Sequence, residues 1–185
     1  RGQGGTEDRA ALGAATGARA VLVNGALAEA RYPLDLRGLA VDFQAGPTLE
    51  FPDTDNFLHE EVILSARSLL PLSPVHLEAA PDAGGVRLSW IRRTRTGGDN
   101  WESEVPLSEA FERYAVTILD GMAPLRALEV AGPFVEGAVP NVLYTDDEIL
   151  ADFGAGGIAG AADPKFQVAQ ISDAVGAGVA SQSSL

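Results

Sequence analysis

Residue types that support catalysis are sparse in this chain and stand far apart. Its two histidines are His59, which precedes Glu60 and Glu61, and His76. A zinc site needs three or four converging ligands, and no second histidine stands near His59, so we interpret both as partly exposed polar residues and predict no metal site. An enzyme fragment with a metal or paired-carboxylate site at His59 or Asp146–Glu148 is kept as the least favoured hypothesis about function.

An acidic group marks a predicted short helix. It consists of Asp146, Asp147, Glu148 and Asp152. Thr145 and Glu148 have the spacing of a capping box, which predicts a helix over 145–153 that ends at Gly154. Carboxylates favour the positive end of a helix. We therefore interpret the acidic group as helix-start residues, in preference to a calcium site or an acid–base pair.

Neither the glycine-rich segment nor the serines match a catalytic motif. A dinucleotide-binding loop requires a buried strand before it and a helix after it. Here a predicted helix precedes residues 154–160, and Asp163 and Pro164 prevent a long helix after them. No serine stands in a G-x-S-x-G turn. We predict a protein that is not an enzyme and has no cofactor.

One loop has the composition of a contact surface. Arg92, Arg93 and Arg95 form the densest basic cluster, and Trp101 follows in the same polar loop. Arginine and tryptophan are enriched at binding hot spots. These four residues are the predicted interaction surface. The alternative, which remains open here, is a solvated strand end with one buried indole.

Short strands of alternating character flank this loop. Val86, Leu88 and Trp90 alternate with polar residues, as is typical of a strand with one buried face. Further strands are predicted at 75–80, 110–119, 126–131, 142–144 and 166–172 and near 179. Short strands at regular spacing, with turns between them, indicate an antiparallel β-sandwich with one short helical insert.

The first 70 residues are predicted to form a small separate β-domain of about four strands. Asn24 and Gly25 predict a tight turn between hairpin arms at 18–23 and 26–30. Two more strands are predicted at 39–43 and 61–66. Pro71 and Pro74 fix an extended connection, so we place the domains at 1–70 and 71–185 in an all-β protein.

Composition excludes several functions that depend on charge. The chain of 185 residues carries a net charge of −13, which repels phosphate backbones and anionic lipid. We expect no sequence-specific nucleic acid as a partner. No segment approaches the roughly 20 apolar residues of a membrane helix, so we expect no direct membrane insertion. The absence of cysteine excludes disulfides and thiolate metal sites.

Residues 73–185 resemble a fibronectin type III domain. Val86, Leu88 and Trp90 resemble its second strand with the core tryptophan, and Tyr114, Val116 and Ile118 resemble its third; residues 166–178 resemble its sixth strand and the turn after it. Phe166 stands where the family often has tyrosine, so the hydroxyl bond of the tyrosine corner cannot form there. The predicted helix at 145–153 replaces that corner.

Several longer segments together resemble the C-terminal region of one family, the tail-hub or host-specificity proteins of gene transfer agents and related long-tailed phages. These segments are Leu72–Leu77 (Leu-Ser-Pro-Val-His-Leu), residues 88–95, 98–101 and 104–107 of the loop region, and the shorter runs 1–7 and 17–23. The resemblance spans nearly the whole chain, and its most specific motif lies between residues 72 and 107.

The resemblance implies a noncatalytic structural component of a tail tip, or baseplate hub. Implied partners are other tail or baseplate proteins and a host receptor or glycan, with a homotrimer in the full-length assembly. Such a protein assembles in the bacterial cytoplasm and is extracellular in the released virion. The alternative hypothesis is a carbohydrate- or receptor-binding β-sandwich module of a surface protein.

Overall fold

Over the residues that the structure describes, the chain is an antiparallel β protein with a short α-helix at Asp146–Phe153, as predicted. The structure is a computed structural model that describes residues 12–22, 24–26, 31–52, 54–98, 106–134 and 139–185. The described residues divide into two compact units, Gly13–Arg67 and Ser68–Leu185, the latter together with Leu12. We describe each unit by itself, and the domain boundary between residues 70 and 71 stays a prediction.

The smaller unit contains a two-stranded antiparallel ribbon, β1 (Ala40–Ala45) and β2 (Leu58–Ile63), and a short 3-10 helix at Leu34–Leu36. The strand β2 begins three residues before the strand that was predicted at 61–66. The ring of Phe57 lies against Gly46, where an added Cβ would be 2.5 Å from the ring. The described residues of this unit contain two strands, whereas about four were predicted.

The hairpin predicted around Asn24 and Gly25 is wrong for the described residues 18–22, which form no strand. Val21 and Leu22 are 70% and 78% exposed, and a hairpin with no apolar surface to cover is at best marginally stable. The amide of Ala26 donates to Asn24 Oδ1 at 3.0 Å instead, which closes a local side-chain turn. Residues 27–30 of the second arm lie outside the described residues.

The larger unit is a sandwich of two sheets. Its strands are β3 (Val75–Asp82), β4 (Gly85–Ile91), β5 (Arg113–Asp120), β6 (Ala123–Ala131), β7 (Asn141–Thr145), β8 (Pro164–Ser172), β9 (Gly176–Ala177) and β10 (Ser181–Ser184). One sheet has the order β3-β4-β7, the other β10-β8-β5-β6, and β9 pairs with β8. Apart from the two-residue β9, this is the strand arrangement of a fibronectin type III domain.

The core lies between the two sheets, and it includes Leu88 and Trp90 of the predicted alternation and Tyr114, Val116 and Ile118 of the fibronectin resemblance. Its buried members are Leu88, Trp90, Tyr114, Val116, Ile118, Tyr144, Phe166 and Val168. The rings of Trp90 and Tyr114 meet edge to face, with centroids 5.1 Å apart, a favoured aromatic geometry. Full burial of an indole on β4 against β5 fixes how the two sheets face each other.

The helix α1 (Asp146–Phe153) follows β7 directly and begins with the predicted capping box. The amide of Glu148 donates to Thr145 Oγ1 at 3.3 Å, and the amide of Thr145 donates to Glu148 Oε2 at 2.9 Å. The helix ends at Gly154, as predicted, and two 3-10 turns follow at Gly154–Gly156 and Ile158–Gly160. Within the described residues, no helix has the length and hydropathy needed to cross a membrane.

The outer strand β3 is irregular. Its pairing with β4 shifts between Val75 and Glu78, His76 has a left-handed backbone with φ of 50°, and Pro81 lies within the paired region. The preceding residues 71–74 belong to the sandwich itself. The Ser181 hydroxyl donates to the Pro74 carbonyl at 2.6 Å, and a Cβ at Gly178 would lie 2.3 Å from the Pro71 oxygen.

Candidate functional site

The sandwich has two ends that differ in construction. At the first end lie the connections from β4 to β5, from β6 to β7 and from β8 to β10. At the second end lie the short turns between β3 and β4 and between β5 and β6, together with α1. The predicted contact residues belong to the first end, and the acidic group belongs to the second.

Three side-chain contacts join the two arms of the long connection between β4 and β5. Arg92 Nη1 lies 3.6 Å from Glu112 Oε1, the hydroxyls of Thr94 and Ser108 are 2.6 Å apart, and Arg95 Nη2 donates to Glu109 Oε1 at 2.5 Å. We call residues 92–95 together with 108–112 the braced stem. Residues 99–105, including Trp101, lie outside the described residues.

The three predicted contact arginines are held by partners within the larger unit. Arg93 Nε donates to the Ser73 carbonyl at 2.6 Å. The side chains of Arg92 and Arg95 are only 13% and 19% exposed. Arg92 and Arg95 thus brace the two arms of the stem, and Arg93 ties the stem to Ser73. Their role in contact with a partner stays a prediction.

The braced stem is tied to the core through Glu112. The hydroxyl of Tyr114 donates to Glu112 Oε1 at 2.7 Å. Burial raises the pKa of Tyr114 above its ordinary value, and the hydrogen bond to Glu112 raises it further. Tyr114 therefore stays a neutral donor, and the carboxylate that pairs with Arg92 is fixed to the aromatic core by the same oxygen.

Neighbouring connections are joined to the stem as well. The amide of Gly132 donates to the Glu112 carbonyl at 2.8 Å. Arg113, the first residue of β5, forms ion pairs with Glu129 and with Asp173, which belong to β6 and to the turn after β8. The first end is therefore a cross-linked set of connections and not a single loop.

Phe111 is an exposed aromatic side chain on the stem that the sequence interpretation missed. It is 65% exposed, and β5 begins at Arg113, whereas the predicted strand began at 110. A usable signal was present, because Phe111 is out of step with the inward residues Tyr114, Val116 and Ile118, and side chains alternate along a strand. The braced stem thus carries a large apolar side chain that is exposed to solvent.

A poorly exposed carboxylate fastens α1 at the second end. Asp152 accepts two hydrogen bonds from Arg126, from Nε at 2.6 Å and from Nη2 at 3.0 Å, and a third from the Tyr144 hydroxyl at 2.7 Å. A two-pronged arginine–carboxylate pair is strong and directional. Arg126 Nη1 also lies 3.4 Å from Glu148 Oε1. The network joins β6, β7 and the helix.

The charges of this network are set by its hydrogen bonds. Burial by itself would raise the pKa of Asp152, but the hydrogen bonds from Arg126 and Tyr144 outweigh burial and hold that pKa below its ordinary value. The pKa of Tyr144 is raised, first by burial and then by its bond to Asp152. Asp152 is thus an ionised anchor with a neutral phenol beside it, an arrangement suited to holding the helix.

The acidic group and the histidines occupy separate places. Glu148 caps α1 and Asp152 binds Arg126, in line with the interpretation as helix residues. In the part of the chain that the structure describes, no group of three or more His, Cys, Asp or Glu side chains could hold a metal ion. His59 Nδ1 lies 3.5 Å from Asp42 on the surface, and His76 lies at the irregularity of β3.

Comparison with known proteins shows a likeness to solved structures alone. No protein-family model matches the chain, and no curated protein sequence matches it. Among solved structures, the chain is similar to the rat CD45 extracellular region, domains d3–d4, with a TM-score of 0.33 and 8% sequence identity over 94% of this chain and 78% of that chain. A likeness at this level carries no argument about function, and the fold assignment rests on strand order and core.

Proposed function

We propose that this chain is a noncatalytic structural part of a phage-like or gene transfer agent tail tip. In this role the larger unit presents the connection on the braced stem to neighbouring tail proteins and to the host envelope. The resemblance of residues 72–77 and 88–107 to tail-hub proteins supports the proposal. The virion tail tip is then its location, and a receptor or glycan on the host is its outer partner.

The braced stem is the observation that carries the proposal. Three side-chain contacts clamp both arms of a long connection, and contacts from the neighbouring connections hold its base. Binding loops positioned by a rigid scaffold are the usual way in which sandwiches make contacts. Because the arms are already ordered, less conformational entropy is lost when the connection meets a partner.

Within this proposal, some residues of the predicted surface position the connection and others contact the partner. Arg92, Arg93 and Arg95 are positioning residues, since their charged groups are held by partners in the same unit. Phe111 is the contact residue among those described, because a large exposed aromatic supplies contact area at low entropic cost. Trp101 keeps its predicted role as the second contact.

Particles that carry single substitutions test the proposal. Phe111→Ser is expected to weaken binding to the adjoining tail protein or the host surface by about tenfold or more. Met122→Ser is the matched control, because Met122 is 94% exposed at the second end. Adsorption and gene transfer are measured with purified particles, and cryo-electron microscopy locates the chain. The proposal fails if the chain lies away from the tail tip or if both variants behave alike.

The exposed ring of Phe111 also favours one second candidate, a carbohydrate-binding β-sandwich module, because sugar rings stack on exposed aromatic faces. A glycan array probed with the purified chain distinguishes a carbohydrate-binding module from a structural part of a tail tip. Binding to free glycans that Phe111→Ser abolishes and Met122→Ser preserves supports a carbohydrate-binding module. No glycan binding, together with a tail-tip location, favours the structural role.

A further inference from the structure

We propose that the β1–β2 ribbon is a self-association element in which β1 of one copy pairs antiparallel with β1 of a second copy, centred on Phe43. Among the described residues, β1 pairs with β2 alone. The far edge of β1 therefore presents backbone donors and acceptors for which those residues supply no strand. Such an edge is a template for another strand.

Among the described residues, the ribbon is covered only in part, because Val41 and Phe43 are half-buried while several of its other apolar side chains are exposed. Two strands by themselves are marginally stable in water, and three or more with an apolar face are required for independent stability. Leu39, Leu58 and Ile63, at or beside the ribbon, are 54%, 66% and 66% exposed. On one face, Val41 lies opposite Val62, Phe43 opposite Glu60 and Ala45 opposite Leu58, so a strand added at β1 would extend a face that is apolar except for Glu60.

Charge decides which edge accepts the second copy. The middle of β2 is Glu60 and Glu61, both exposed. A two-fold pairing of β2 with itself centred on either residue sets two carboxylates opposite each other, which is unfavourable. The strand β1 carries a single charged residue, Asp42. The β1 edge is therefore the one that a second copy of this acidic chain can approach.

Charge also decides the register. Two-fold antiparallel pairing sets residues of the same face opposite each other, so the two registers with the longest overlap are centred on Asp42 and on Phe43. The first sets two Asp42 carboxylates face to face. The second sets Asp42 opposite Gln44 of the second copy, an amide that already donates to Asp42 at 3.0 Å within one chain. On the other face it joins two Phe43 rings, flanked by Val41 and Ala45.

Cross-linking in the full chain tests this register directly, because the natural chain contains no cysteine. Opposite residues of antiparallel strands lie about 4.5–5.5 Å apart between Cα atoms, within disulfide range. Val41→Cys chains mixed with Ala45→Cys chains are expected to form mixed disulfide dimers under mild oxidation. Either variant by itself is expected to cross-link far less. Glu61→Cys, on the opposite strand, is the control that should stay uncross-linked.

Sedimentation equilibrium of the full chain supplies the second measurement. Gln44→Lys, which faces Asp42 of the second copy, is expected to tighten the dimer, and Gln44→Asp to weaken it, each on the order of fivefold. A chain that stays monomeric at all concentrations overturns the proposal. So does any oligomer, a trimer included, that lacks the mixed cross-link between positions 41 and 45. Since the ribbon belongs to the smaller unit, either outcome leaves the proposed tail-tip role of the sandwich to its own test.

Discussion

Single side chains in this protein act mainly as anchors between elements. Tyr114 and Tyr144 each bury a ring in the core and donate their hydroxyl to a carboxylate outside it, Glu112 in the first case and Asp152 in the second. A tyrosine can do both because its body is apolar and its tip is polar. Each end of the sandwich is therefore secured to the core by one phenol–carboxylate bond.

Asp152 gives a pH-dependent prediction at this scale. Its pKa is lower in the folded chain than in the unfolded chain, so its contribution to stability is present above the unfolded value of about 3.9 and is lost as the pH falls through the folded pKa. Asp152→Asn is expected to cost about 2 kcal/mol at neutral pH. It should also flatten the loss of stability below about pH 4.

Urea unfolding at neutral and acidic pH measures both effects. Asp147→Asn is the control, since Asp147 lies in the first turn of α1 and is not a member of the network around Arg126. Equal losses of stability in both variants at neutral pH, or an unchanged acid response in Asp152→Asn, would show that Asp152 is not the anchor.

Among the connecting elements, the braced stem depends on charges that are shielded from water. The side chain of Glu109 is 7% exposed and accepts from Arg95 Nη2, which also donates to the Ser108 carbonyl at 3.4 Å. Glu109→Ala leaves a poorly exposed guanidinium short of a partner, which should cost about 1–3 kcal/mol. Glu129→Ala is the matched control, because that carboxylate is 59% exposed and such pairs contribute about 0–1 kcal/mol.

Hydrogen exchange distinguishes a stem effect from a global one. In Glu109→Ala, amides of residues 106–112 should exchange faster while those of β8 keep their protection. Uniformly faster exchange throughout the sandwich would contradict the assignment of Glu109 to the stem.

The last turn of the sandwich requires a glycine. A Cβ at Gly178 would lie 2.3 Å from the Pro71 carbonyl oxygen, a backbone atom that cannot move without shifting residues 71–74. Gly178→Ala is expected to cost about 1–3 kcal/mol, the usual range for overpacking. Gly160→Ala should be near neutral, because nothing lies within 4 Å of the new methyl group. Thermal unfolding compares the two, and equal melting temperatures would contradict the prediction.

At the scale of the whole molecule, the two ends of the sandwich are built independently. The network around Arg126 and the braced stem share no residue. Effects of substitutions at sites without shared partners usually add within about 0.3–0.5 kcal/mol. The double variant Asp152→Asn with Glu109→Ala should therefore lose the sum of the two single losses in urea unfolding. A clear departure from the sum would reveal coupling through the core.

Periodic features were predictable from the sequence, and pairings between distant residues were not. Alternation indicated the inward residues of β4, and capping chemistry indicated α1, because both are local rules. The bond from Arg126 to Asp152 spans 26 residues, and no local pattern indicates it. The arginines were found as a cluster, but their partners Glu109 and Glu112 follow only once β5 is known to begin at Arg113.

In the smaller unit, a local sequence signal predicted a structure that the described residues do not form. Asn24 and Gly25 have strong hairpin chemistry, yet the described residues before them form no strand. A turn signal brings two segments together only where the resulting strands have a surface to cover. Strands were predicted at 39–43 and 61–66, and the observed β2 begins three residues before its predicted position. Their pairing was not predicted.

The irregular β3 bears on how copies of this protein can be crowded together. A strand with a left-handed residue at His76 and a proline at position 81 cannot serve as a straight template, and proteins use such devices to stop fibre growth from sheet edges. Sandwiches packed side by side at high local density are thereby protected from cross-β aggregation along β3. Replacing Pro81 by a β-branched residue would remove part of that protection, even though it leaves the core untouched.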